Sequence, residues 1–264
     1  MHSFDSDIAV SQKARDRFFA SISGNWSINN TPNGGYLLAV LANAMISRSD
    51  KKATPLLTAN YLSRTTAGEA EIAAEEISRS RQFSRLQARL MQAGEEKIRA
   101  FGTFAIEPDQ CFIRRYEQRP PEISPAEDCV RIPAMPRYSL YESMDVRLDP
   151  ECAGWMEGRL SEKSEHKGWL RFPGNRRLDV FAVILAADAF PPAVLASQGM
   201  TAWVPTLEFS ISIRGQTEAQ WLKCRFRTRF INCGLLEEDG EIWDDTGELL
   251  AVSRQIAQYR QVLE

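Results

Sequence analysis

Two runs of the chain, YLLAVLANAMI (36–46) and VFAVILAADAF (180–190), are apolar on nearly every side. A helix of that kind is buried all round instead of lying amphipathic on a surface. Gly34-Gly35 opens the first run, with Asn33 as a plausible N-cap. Asp179 caps the second, and Pro191-Pro192 is its natural stop. Strand-like sequence comes after each helix. Lys223, Arg225, Arg227 and Arg229 alternate with Cys224, Phe226, Thr228 and Phe230, the period of a half-buried strand. Asp245-Thr246-Gly247 is a turn signal inside WDDTGELLAVSRQ, with another strand after it. FSRLQARLMQAG fits two periods, since Phe83, Leu86, Leu90 and Met91 also share a helical face. Only the parallel with the second half favours strand.

That parallel is an internal repeat. VLANAM (40–45) matches LAADAF (185–190), PLLTANYL matches VPTLEFSI, and KIRAFGTFA (97–105) matches ELLAVSRQI (248–256), about 148 residues apart. The pairs so formed are Asn43 with Asp188 and Phe104 with Gln255, and a shift of one residue in the middle match pairs Thr58 with Thr206. A duplicated supersecondary unit accounts for this order. Seven of the 13 prolines fall between Pro108 and Pro150, which is linker chemistry. The expected division is an N-terminal unit 1–107, a Pro-rich linker 108–136 and a C-terminal unit 137–264.

Composition narrows the function. The chain has 264 residues, 25% of them charged, with a net charge of -3, which argues against a dedicated nucleic-acid binder. Mean hydropathy is -0.33 and no apolar run is long enough for a membrane span. The N-terminus lacks the pattern of a signal peptide. The only histidines are His2 and His166, too few for a multi-histidine metal site and nearly excluding a Ser-His-Asp triad. Cys111, Cys129, Cys152, Cys224 and Cys233 are odd in number and form no CxxC pair, so neither a disulfide framework nor a zinc site is expected, and the compartment reads as reducing and cytoplasmic. A cysteine nucleophile would need a base such as His166; structural thiols are the expectation.

PNGGYLLAVLANAM, RSRQFSRLQARLMQ, AADAFPP, WVPTLEFSISIRG and IWDDTGELLAVSRQ, taken in this order with the Pro-rich middle, resemble the type II acyl-CoA thioesterases. The resemblance spans about residues 20 to 260. It implies an α+β double hotdog: two curved antiparallel sheets, each wrapped around a long central helix, joined as a pseudo-dimer in one chain. It implies hydrolysis of an acyl-CoA thioester by a water held on Asp188, Thr206 and Gln255, with no cofactor and no metal. It also implies that Asn33, Gly34, Gly35 and Tyr36 at the first helix start bind substrate, the backbone amides there serving as oxyanion donors. Related hotdog enzymes often carry His where this chain has Asn33, which cannot titrate near pH 7. A further pairing of double hotdogs, a homo-oligomer, is implied as well.

The residues themselves leave alternatives open. Asp188 is either a desolvated carboxylate in an apolar helix, tuned toward a general base, or an exposed helix-end carboxylate beside Pro191. Thr206 and Gln255 are equally ordinary as strand residues. The Gly pair is as readily a simple chain turn. The first-half counterparts, Asn43, Thr58 and Phe104, cannot do the same work, so one of two pseudo-symmetric sites is expected to be active. Attack by Asp188 itself through an anhydride stays open. Arg79, Arg81, Arg176, Arg177, Arg225, Arg227 and Arg229 are candidates for the CoA phosphates, or only solvated charges. Two other activities compete: a hotdog hydratase or dehydratase, disfavoured because His166 lacks the expected aspartate context, and a non-catalytic acyl-CoA binding protein.

Overall fold

In the computed structural model, which describes residues 2–106 and 113–261, the two apolar runs lie inside one long antiparallel sheet. The first half contributes β1 (Ser11–Ala14), β2 (Arg17–Ile22), helix α1 (Gly34–Arg48), β3 (Ala53–Tyr61), β4 (Gly68–Arg79), β5 (Phe83–Gln92) and β6 (Glu95–Ala105). The second contributes β7 (Val130–Arg131), β8 (Asp145–Leu148), β9 (Ser164–Arg171), helix α2 (Val180–Ala186), β10 (Thr206–Ile213), β11 (Leu222–Thr228), β12 (Leu235–Asp244) and β13 (Leu249–Gln258). The strand order is β1-β2-β4-β5-β6-β3-β10-β13-β12-β11-β9-β8-β7, with Ile231–Asn232 pairing onto β12. Each half therefore runs strand, helix, central strand, three-strand meander. The two halves meet where β3 pairs with β10, Thr58 opposite Ser210.

Burial explains the helices. Every α1 residue from Gly35 to Met45 except Asn43 is buried, and so are Ala182–Ala186 of α2. The sheet covers them with alternate side chains such as Leu57, Ala59, Phe209 and Ile211. Phe83–Gln92 is a strand: every second residue, from Ser84 to Gln92, faces inward. Both predicted caps are made, with Asn33 accepting from the Tyr36 N–H and Asp179 from the Ala182 N–H.

The second helix departs from expectation. It ends at Ala186, not at the double proline, and the Asp188 and Ala189 amides fall back to i−3 carbonyls. Asp188 thus lies neither within a helix nor at an open helix end. It stands in a buried break between Ala187 and Ala193. The Pro-rich stretch also contributes structure, because Val130–Arg131 pairs with β8 at the sheet edge.

Candidate active site

Asp188 meets the opposite half of the molecule. Its Oδ2 accepts from the Gly35 N–H at 2.8 Å, and its backbone carbonyl accepts from Asn33 Nδ2 at 2.6 Å. This contact requires glycine. A Cβ on Gly35 would stand 2.9 Å from Asp188 Cβ and 2.9 Å from the Ile184 carbonyl oxygen. The close approach puts the positive end of α1 against the carboxylate just past α2.

From the sheet side, Gln255 Nε2 donates to Asp188 Oδ1 at 2.8 Å, and Thr206 Oγ1 donates to Gln255 Oε1 at 2.7 Å. The chain of donors fixes the glutamine amide in one orientation. Gln255 is only 6% exposed, so it is no solvent-facing strand residue. Thr206 reaches this face through a bulge. It pairs with Ala257, whereas Glu208 pairs with Ile256, so Leu207 is one residue in excess. Side chains alternate along a strand, so without that extra residue Thr206 would point away from Gln255.

The three residues of the proposed trio are therefore joined in one hydrogen-bonded chain. Asn33, Gly34, Gly35 and Tyr36 adjoin it, but their amides are committed. The Gly35 N–H serves Asp188, and the Tyr36 N–H serves the Asn33 side chain. The Gly34 amide also faces Asp188. The Tyr61 hydroxyl donates to the Gly34 carbonyl at 2.7 Å. Around Asp188 the loss of solvent outweighs the Gly35, Gln255, Gly34 and Asn33 donors, and the carboxyl is pushed up to about 6 although the residue as a whole is only half-buried.

The first-half counterparts do not converge. Asn43 Nδ2 donates to the Ile8 carbonyl, Thr58 Oγ1 shares a 3.0 Å hydrogen bond with Ser210, and Phe104 is core. Nor does a cysteine site form among the described residues. Burial pushes Cys129 and Cys152 up to about 11, and the His166 ring faces the Pro191 carbonyl; Cys111 lies outside the described residues. Most of the candidate arginines have acidic partners. Arg79 pairs with Glu76 and Asp50, Arg176 with Asp5 and Asp179, Arg177 with Glu218, Arg225 with Glu241, Arg227 with Glu165 and Glu241, and Arg229 with Glu237 and Asp239. Composition alone does not reveal these partners.

Two buried ionisable residues beside the site, Glu238 and the Pro191-bound His166, were not singled out for it by sequence. Glu238 carries a signal only in hindsight: an acid at an inward position of a strand.

Two curved half-sheets closing around two central helices define a double hotdog. Sequence models of the acyl-CoA thioesterase N-terminal domain and C-terminal domain match residues 22–105 and 126–259. The chain belongs to the acyl-CoA thioesterase family and is a thioester hydrolase. Among solved structures it is similar to a protein assigned as a thioesterase II from Thermobifida fusca YX, with 26% identity, a TM-score of 0.91 and coverage of 99% of this chain and 98% of the other. A conserved hot dog fold protein from Alicyclobacillus acidocaldarius shares 21% identity at a TM-score of 0.89 over 100% of both chains. The acyl-CoA thioesterase II TesB2 from Mycobacterium marinum shares 16% at 0.78, covering 98% of each. No curated protein sequence matches the chain.

Proposed function

We propose that this chain hydrolyses the thioester of fatty acyl-CoA to a free acid and CoA, using a water held on Asp188 and Thr206 and oriented by Gln255. The observation that carries this reading is the continuous chain Thr206–Gln255–Asp188, closed by the Gly35 amide. Thr206 spends its proton on Gln255, so its oxygen is left to accept from a water. The Asp188 carboxylate takes the water's other proton as the oxygen attacks the carbonyl carbon. The departing thiol has an ordinary pKa near 8.5, so it leaves as thiolate with little acid assistance. Both carboxylate oxygens of Asp188 already hold an N–H donor, which favours its acting on water over direct attack on the thioester.

In this reading the α1 amides hold the base, and the field of the α1 terminus stabilises charge developing beside it. Asn33, Gly34, Gly35 and Tyr36 shape the floor on which the thioester group lies. The chain works in the cytoplasm, in fatty acid metabolism, as an oligomer of double hotdogs.

The test is thiol release from acyl-CoAs of graded length, with equilibrium binding measured in parallel. Turnover supports the reading, and binding without turnover makes the chain an acyl-CoA binding protein. Hydration of an enoyl-CoA would make it a hydratase. Because Asp188 is neutral below about 6 and must be charged to act, kcat/KM should rise as pH climbs through that value. A flat profile from pH 5 to 8 would remove Asp188 as the base.

A further inference from the structure

The loop that carries Asp188 is held at four points. Asn33 binds the Asp188 carbonyl, and Gln255 reaches the Ala187 carbonyl at 3.5 Å. The other two are made by buried side chains of the sheet. His166 Nδ1 lies 3.0 Å from the Pro191 carbonyl, and Glu238 Oε2 accepts from the Ala193 N–H at 2.5 Å. The carbonyl can only accept, so His166 carries its proton on Nδ1; its Nε2 is buried with no partner among the described residues.

Glu238 is 8% exposed, and a carboxyl is an expensive group to bury for a single amide contact. Its position gives it a second role. Across the β12–β13 pair it stands directly opposite Gln255, the residue that joins Asp188 to Thr206. One side chain thus grips the loop five residues after Asp188 and flanks the glutamine that orients the water.

We propose that Glu238 is a positioning residue for the hydrolysis, acting in its neutral form to hold the Asp188 loop and to keep the Gln255 surroundings free of a second negative charge. This rests on the thioesterase reading of the Asp188–Thr206–Gln255 site. The groups around Glu238 favour the neutral form. Asp188 faces it from the loop, the Gln255 amide opposite is uncharged, and its neighbours on β12 are Glu237 and Asp239. With desolvation as the main cause, the carboxyl is pushed up to about 8. Above that value a charge on Glu238 would oppose ionised Asp188 and the oxyanion that forms beside it.

The test compares Glu238→Gln and Glu238→Leu with wild type in kcat and KM for one acyl-CoA from pH 5 to 9.5, with thermal melting of each variant. Glutamine keeps an acceptor for the Ala193 N–H and cannot ionise. Glu238→Gln should keep kcat at pH 7 within about threefold and lose the alkaline fall in rate expected of wild type above about 8. Glu238→Leu should lose at least tenfold in kcat at pH 7 with KM little changed and with cooperative melting intact. An alkaline limb unchanged in Glu238→Gln, or wild-type kcat in Glu238→Leu, would overturn the proposal. If Glu238→Leu fails to melt cooperatively, the glutamine profile decides. Failure of the underlying thioesterase reading looks different, since wild type itself would then release no thiol.

Discussion

The two halves of the molecule share one frame and differ around their central helices. In the first half the central helix runs unbroken from Gly34 to Arg48, and Asn43 is an ordinary helical residue bonded to Ile8. In the second half the helix stops after Ala186, and Asp188 stands in the break beyond it. The N-terminal helix Ser3–Asp7 adds to the difference. Phe4 and Ile8 are buried, Asn43 donates to Ile8, and Arg176 ties Asp5 to Asp179 at the start of α2. The mirror-related position is thus filled with protein, while the start of α1 is left to meet Asp188. A duplicated fold supplies two equivalent places for chemistry, and in the proposed mechanism a broken helix and one bulge decide which is used.

The largest effect is expected of Asp188→Asn. It should lower kcat by about 10³-fold or more, the scale of losing a general base. It should also raise stability. The Asp188 carboxyl prefers its neutral form in the folded chain, so ionising it costs stability as pH rises from about 4 to about 6, and the full cost persists above. Thermal melting at pH 8 should therefore show the amide variant more stable than wild type, by up to about 3 kcal/mol. A variant that is both inactive and destabilised would recast Asp188 as structural.

Thr206→Val and Gln255→Ala come next, each with an expected loss of about 10 to 100-fold in kcat, because in the proposed mechanism each orients the water without taking its proton. Together they should cost much less than the product of the two losses, since they form one chain. Steady-state rates of the double variant check this, and full additivity would show that the two act independently.

A smaller effect concerns the loop clamp. Burial pushes His166 down to about 4, so the unfolded chain binds a proton near pH 6.5 that the folded chain refuses. Its contribution is complete above pH 6.5 and is lost as pH falls toward 4, about 3 kcal/mol in all. Asp188 and Glu238 shift in the opposite sense, so the quantity to measure is the difference between wild type and His166→Phe. That difference should shrink or reverse between pH 7 and 4.5, and a constant difference would contradict a buried neutral histidine.

Much of this was legible in the residues. The all-apolar runs announced central helices, the caps Asn33 and Asp179 were visible, and the order of motifs carried the family and named Asp188, Thr206 and Gln255, which the fold joins by hydrogen bonds. Three things were hidden. The end of α2 lay out of reach because an alanine-rich run has no local stop signal before its prolines. The bulge at Leu207 was invisible, since TLEF reads as ordinary strand and the inward face of Thr206 exists only relative to β13. The role of the glycine amides was also beyond local pattern. Gly34-Gly35 suggested a place for a substrate oxyanion, whereas in the fold these amides point at a carboxylate contributed from about 150 residues away. Each miss belongs to long-range packing, which period and propensity do not encode.

In the proposed mechanism the reaction runs at Asp188 and not at its pseudo-symmetric counterpart Asn43. The most direct measurement is thiol release from a single acyl-CoA by Asn43→Ala beside Asp188→Ala. Asn43→Ala is expected within about threefold of wild type and Asp188→Ala down by about 10³-fold or more. Equal losses in the two variants, with both melting as wild type does, would contradict this mechanism.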